Sequence, residues 1–131
     1  MGAVLLDTTV LIDALRGRRA AERILELRQQ GHTPFVCAVN AEEVYRGLRP
    51  GEEEHARRLF SGLREAPLGP DEGRRAGTWR RDHAARGRTL SQADCLIAAA
   101  AHAIGARLAT GNPKDFPMRE VTVERWPAGD R

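Results

Sequence analysis

Four acids occupy positions from which they could act together. Asp7 follows the apolar run Ala3–Leu6 directly, in Leu-Leu-Asp-Thr-Thr. Glu43 lies four residues past a second apolar run, Phe35–Val39, in the first turn of a helix begun by Asn40. Asp94 sits in the first turn of a helix opened by Ser91, and Asp115 closes Gly-Asn-Pro-Lys-Asp after a third run, Ala106–Thr110. Taken singly, each acid has a structural explanation. Asn40-x-x-Glu43 and Ser91-x-x-Asp94 are capping-box patterns, and Asn112-x-x-Asp115 comes close to one. Asp7 fits that explanation less well, because Thr8 or Thr9 could cap the helix that follows. Taken together, convergent carboxylates with no cation nearby in sequence raise one another's pKa. A hard divalent cation relieves that cost, and an all-oxygen ligand set suits Mg²⁺ or Mn²⁺ rather than zinc.

The elements that must position these acids follow from the apolar pattern. Ala3–Leu6, Phe35–Val39 and Ala106–Thr110 read as short buried strands, with a last strand at Glu120–Val123. Helices are expected at 8–16, stopped by Gly17, at 20–30, stopped by Gly31, and at 41–48. Further helices are expected at 52–63, 71–86 and 91–104, and 112–116 is expected to turn. Strands alternating with helices, without tight hairpins, predict an α/β fold with a short parallel central sheet flanked by helices. No repeat or linker divides the chain, so a single domain over 1–131 is expected. In such folds ligands bind beyond the carboxyl ends of the strands, where the acids fall.

Composition narrows the function further. The chain has 131 residues, 41% hydrophobic and 30% charged, which fits a globular protein. Its longest apolar run without glycine, Cys95–Ala101, is far short of a membrane span. The opening Met-Gly-Ala-Val-Leu-Leu-Asp lacks the basic start of a signal peptide. Cys37 and Cys95 lie in apolar surroundings and read as buried thiols of a cytoplasmic protein. The net charge is only +3, yet Arg74, Arg75, Arg80, Arg81, Arg86 and Arg88 crowd one stretch against Asp82 alone. That local excess predicts an anionic partner, although six aromatics in all offer few stacking platforms. His32, His55, His83 and His102 show no ligand spacing. Asp13 reads as structural, paired with Arg16, and Trp79 as a core or dimer residue. Thr8 and Thr9 are expected to hydrogen-bond Asp7 or a water on the metal.

The four acidic segments also carry a resemblance. Val-Leu-Leu-Asp-Thr-Thr-Val-Leu-Ile-Asp (4–13) resembles the opening motif of PIN-domain ribonucleases, and within them of the VapC toxins of type II toxin–antitoxin systems. Val-Asn-Ala-Glu-Glu-Val-Tyr-Arg-Gly (39–47) is similar to the family's Glu-Leu-x-x-Gly motif, with Glu43 rather than Glu42 as the acid because Gly47 stands four residues on. Asp94-Cys-Leu-Ile-Ala-Ala resembles its Asp-x-x-Ile-Ala-Ala helix. Ala-Thr-Gly-Asn-Pro-Lys-Asp-Phe (109–116) resembles its closing motif, with Asn112 where many relatives carry an acid and Asp115 as the fourth acid. The resemblance implies a metal-dependent endoribonuclease: Asp7 and Asp94 as metal ligands, Glu43 and Asp115 completing the acidic pocket, Thr8 and Asn112 in support. The arginines of 74–88 would hold RNA phosphates. It also implies a homodimer and a small VapB-like antitoxin that blocks the pocket with an arginine. A non-toxin PIN nuclease, or a PIN-like module that binds RNA or a partner without cutting, is the alternative. An aspartyl-phosphate enzyme is excluded, since Asp7-Thr-Thr lacks the required Asp-x-Asp.

Overall fold

The computed structural model describes residues 2–128, so both ends of the domain expected over 1–131 lie outside the described residues. Strands β1 (Ala3–Leu6), β2 (Thr33–Val36), β3 (Arg64–Glu65), β4 (Arg107–Thr110) and β5 (Val123–Arg125) form one sheet in the order β3-β2-β1-β4-β5. Every pairing is parallel, as the absence of hairpin signals implied. Around it lie α1 (Thr8–Leu15), α2 (Arg19–Gln29), α3 (Ala38–Arg46), α4 (Glu53–Ser61), α5 (Pro70–Ala85) and α6 (Gln92–Ala103).

The central strand is the most apolar one. Val4, Leu5 and Leu6 are fully buried, and their alternation feeds two separate cores. Leu5 packs with Ile97, Leu108, Trp79 and Phe116 under α5 and α6. Val4 and Leu6 pack with Val10, Leu11, Ile24, Val44 and Trp126 under the helices of the opposite face. Helix α6 is buried along Ala98–Ala101, whose methyl-sized side chains let its backbone lie close to the sheet. Helix α5 forms despite Gly73 and Gly77, because Pro70 opens it, acids fill its first turn, and Ala76 and Trp79 anchor it. After α2 the chain reverses at Gly31, whose φ of +86° is costly for any residue with a side chain.

Several sequence expectations need correction. β2 starts at Thr33 and stops at Val36, not at 35–39. It tolerates Pro34 because β3 pairs only from Phe35 onward, so β2 is locally an edge there. Helix α3 therefore begins at Ala38, capped from Cys37, and Glu43 lies in its second turn rather than its first. The last strand is shifted to Val123–Arg125. β3 has no counterpart among the expected strands: its two residues are both exposed and carry no apolar signal. Asp13 is structural, but its partners differ from expectation. Its carboxylate accepts the Ala20 N–H at 2.9 Å and lies 3.8 Å from Arg18, while Arg16 pairs with Glu52 at 3.2 Å.

The strand order sets the location of the site. From β1 the chain builds outward to β2 and β3, then returns to the other side of β1 for β4 and β5. The reversal falls between β1 and β4, and crevices in open parallel sheets form beyond the carboxyl ends of strands at such a point.

Candidate active site

Asp7 stands at that point, one residue past the end of β1 and at the N-cap of α1. It is 5% exposed. Its Oδ2 accepts two hydroxyl hydrogen bonds, from Thr110 at the end of β4 (2.7 Å) and from Thr9 (3.1 Å). Each hydroxyl is itself committed by a backbone N–H, Asn112 to Thr110 Oγ1 at 3.0 Å and Gly111 to Thr9 Oγ1 at 3.1 Å. A backbone N–H can only donate, so each threonine proton is directed at Asp7. A Cβ at Gly111 would stand 3.0 Å from that of Ala128, so glycine is what lets this loop pass close to Ala128. Burial raises the Asp7 carboxyl above its ordinary pKa; the Thr110, Thr8 and Thr9 hydrogen bonds oppose this, and the charge of Glu43 adds to it.

Glu43 projects from α3, half-buried. Its Oε1 accepts the Thr8 hydroxyl at 2.6 Å, so Thr8 bonds Glu43 while Thr9 bonds Asp7. Glu42 turns outward and pairs with Arg46 at 3.0 Å. Asp94 lies half-buried in the first turn of α6, where Ser91 Oγ accepts its N–H at 3.0 Å. Its carboxyl is pushed up to about 6, chiefly by burial and then by the charges of Asp7, Asp115 and Glu43, against a lowering bond with Ser91. Asp115 ends the 3-10 turn Pro113–Asp115. The fold thus brings the other three acids within electrostatic reach of Asp94. Asn112 is exposed and contributes its backbone, the N–H to Thr110 and the carbonyl to the Asp115 N–H.

The donor set is entirely oxygen and negatively charged, which fits a hard divalent cation. Among the described residues no three carboxylates, histidines or cysteines are gathered closely enough to enclose one as they stand. The thiols offer no alternative chemistry: burial raises the pKa of Cys37 and carries that of Cys95 to about 11.

The arginine stretch divides. Arg80 Nε donates to the carbonyl of Leu90 at 3.2 Å, and Arg88 donates to that of Lys114, so both sit on the rim that carries Asp94 and Asp115. Arg74 pairs with Asp71, Arg81 with Asp82, and Arg75 covers Trp79. Arg74 and Arg75 line a separate cleft of about 710 Å³ together with Asp71, Glu72, Asp82 and Glu120. Arg86 is exposed near the end of α5. Trp79 is a core residue, 5% exposed. Among histidines, His83 and His102 meet backbone carbonyls and His32 the Gly2 N–H.

Two residues of the site were not read from the sequence. Thr110 reads there only as the end of a strand, and Asn40 only as a helix start. Both are fully buried polar side chains, a signal that exists only once the fold does.

Comparison with known proteins agrees with the geometry. Residues 4–121 match the PIN domain family. Ribonuclease VapC10 of Mycobacterium tuberculosis is 33% identical over 117 residues, covering 89% of this chain and 88% of its own. A toxin–antitoxin complex from Klebsiella pneumoniae contains a chain 27% identical to this one, with a TM-score of 0.73 over 91% of this chain and 95% of that one. VapBC2 from Rickettsia felis, bound to a DNA fragment from its promoter, shares the fold with a TM-score of 0.82, at 23% identity over 95% of this chain and 99% of that one. With four acids at the switch point of a parallel sheet, and a family match over nearly its whole length, this chain belongs to the PIN-domain family, alongside the VapC ribonucleases.

Proposed function

We propose that the chain is a divalent-metal-dependent endoribonuclease and the toxin of a type II toxin–antitoxin pair, working as one nuclease domain. The observation that carries this reading is the acidic crevice, where burial and three like charges hold the Asp94 carboxyl near 6. Asp7 and Asp94 would hold Mg²⁺ or Mn²⁺. When bound, such an ion supplies positive charge to the scissile phosphate and makes water more acidic. Glu43, fixed through Oε1 by Thr8, orients the attacking water and takes its proton as the P–O bond to the leaving oxygen breaks. Asp115 completes the pocket, Thr8 orients Glu43, and Asn112 supports the Thr110 bond to Asp7 through its backbone. A pocket of acids repels RNA, so cations on its rim must bind the flanking phosphates. Arg80 and Arg88 are suited to this, because they bond the segments that carry Asp94 and Asp115. Arg74, Arg75, Arg81 and Arg86 would serve more distant phosphates.

The toxin role draws support from the VapC relatives and from the toxin–antitoxin complex among the structural neighbours. The partner is a VapB-like antitoxin that places an arginine among the acids, where a planar cation pairs bidentately with carboxylate. An apolar patch spans α3 and α4: Tyr45, 44% exposed, lies with its ring 5.8 Å from that of Phe60. A homodimer in the cytoplasm completes the reading. Among the described residues no helix is long and apolar enough to cross a membrane.

The test is direct. Purified chain is incubated with assorted RNAs, with and without Mg²⁺ or Mn²⁺, and the chain is expressed alone and with the small protein encoded beside it. Metal-dependent cleavage and growth arrest relieved by the partner are expected. Robust cleavage by a chain that is harmless to cells would make it a housekeeping PIN nuclease. Absence of cleavage under every condition, with RNA still bound, would favour the non-cutting module.

A further inference from the structure

The nuclease reading above has Thr8 orient Glu43 but does not say what aims the Thr8 hydroxyl. The structure assigns this to Asn40, a positioning residue that acts on Glu43 through Thr8. Asn40 is fully buried, one helical turn before Glu43 on the same face of α3. Its Oδ1 accepts the backbone N–H of Cys37 at 2.8 Å. Its Nδ2 donates to Thr8 Oγ1 at 3.1 Å, and Thr8 Oγ1 lies 2.6 Å from Glu43 Oε1.

The direction of this chain follows from its first link. The Cys37 N–H can only donate, so the amide oxygen of Asn40 must face it. The amide nitrogen, which can only donate, must then face Thr8. Thr8 is left with its single hydroxyl proton for Glu43, and no other arrangement satisfies all three contacts. A helix cap needs only the first contact. The second is what a cap does not require. It makes the cap of α3 a rigid reference that fixes the Thr8 hydroxyl and, through it, one oxygen of Glu43, leaving Oε2 for water. The cap also joins α3 to α1, so the residue after Asp7 and the turn that carries Glu43 are set against each other by one amide.

The test compares Asn40→Ala, Thr8→Val and the double variant, with Thr8→Ser as the conservative partner. Two quantities are measured on folded protein: steady-state cleavage under saturating Mg²⁺, and the ¹³C carboxyl resonance of Glu43, identified by its loss in Glu43→Gln. Either single substitution is expected to lower kcat by about ten- to a hundredfold with KM little changed, as a misaimed group does. The double variant is expected to be no worse than the poorer single one, and Thr8→Ser to recover most of the loss. The Glu43 resonance should move alike in both single variants, and Asn40→Ala should not move it further once Thr8 is valine. If Asn40→Ala does not fold, Asn40→Asp keeps the acceptor for Cys37 and removes the donor to Thr8; it should shift the same resonance. Multiplicative losses in the double variant, or an unmoved Glu43 resonance in folded Asn40 variants, would overturn the assignment. The resonance is read without RNA, so a parent chain that cuts nothing defeats the nuclease reading and leaves the assignment to be judged on its own.

Discussion

The acidic crevice has two halves built on different principles. Asp7 and Glu43 are held by hydroxyls whose protons are aimed by backbone N–H groups, directly for Thr9 and Thr110 and through Asn40 for Thr8. These braces reach across the sheet. Asp94 and Asp115 are held by the turns in which they sit: the one by Ser91, three residues away, the other by the Asn112 carbonyl. The first half is geometrically fixed, whereas the second is close enough to the first to feel its charge. A site that must accept a cation and release it gains from both. The braced half keeps its shape without the ion, and the strained half is what the ion relieves.

The sharpest way to break this comparison is to remove the charges. Asp7→Asn, Asp94→Asn and Glu43→Gln are each expected to cut RNA cleavage by about 10²–10⁴-fold with the fold retained, measured by kinetics and circular dichroism. Unchanged activity in Asp94→Asn would dissolve the second half as a functional unit.

Metal should distinguish the halves next. Binding to the folded state alone adds about 2.7 kcal/mol of stability at a hundredfold excess over Kd. Thermal melts with and without Mn²⁺ should show that gain in the parent and a much smaller one in Asp7→Asn.

The braces themselves come third. Thr110→Val strips a hydroxyl from Asp7 and leaves the Asn112 N–H without its acceptor, a change expected to cost about 1–3 kcal/mol in denaturant melts. Ser91→Ala removes only a local cap and should cost about 1 kcal/mol, with activity changed far less than by Thr110→Val.

The strain has its own signature. The Asp94 carboxyl titrates near 6 in the fold against an ordinary 3.8, so the folded protein takes up this proton more readily than the unfolded chain. Ionised Asp94 therefore costs stability above about pH 6, and the cost fades as pH falls toward 4. Metal-free Asp94→Asn should melt a few degrees above the parent at neutral pH and level with it near pH 4. The smallest effect is reserved for Glu42→Gln, which loses only an exposed pair with Arg46 and should leave cleavage within twofold and stability within about 0.5 kcal/mol.

Much of this arrangement was legible in the chain because parallel strands buried on both faces are written as uninterrupted apolar runs. Val4–Leu6 and Leu108–Ala109 announce themselves, and the acids just beyond them are conspicuous. What stayed illegible depends on partners distant in sequence. β3 is a strand only because Val36 and Phe35 offer it an edge; Arg64 and Glu65 carry no sign of it. The capping pattern Asn40-x-x-Glu43 misled, since the true cap position is Cys37 and Asn40 reaches backward to it. Asp13 found Arg18 rather than Arg16 because Arg16 is drawn to Glu52, thirty-six residues on. Thr110 is a fully buried hydroxyl whose purpose appears only when β4 lies beside β1.

That last pairing bears on how such a chain is made. The hydrogen bond from Thr110 to Asp7 joins residues 103 apart, and β4 supplies the second flank of the central strand. Contacts this remote form late, because the loop they close must be ordered before they reward it. On the ribosome, a nascent chain with β1, β2 and their helices already extruded still lacks Thr110, Gly111 and Asp115. The crevice is completed only as the final stretch emerges, so fragments that end before β4 are expected to be inert, and synthesis itself delays the moment at which this protein can attack RNA.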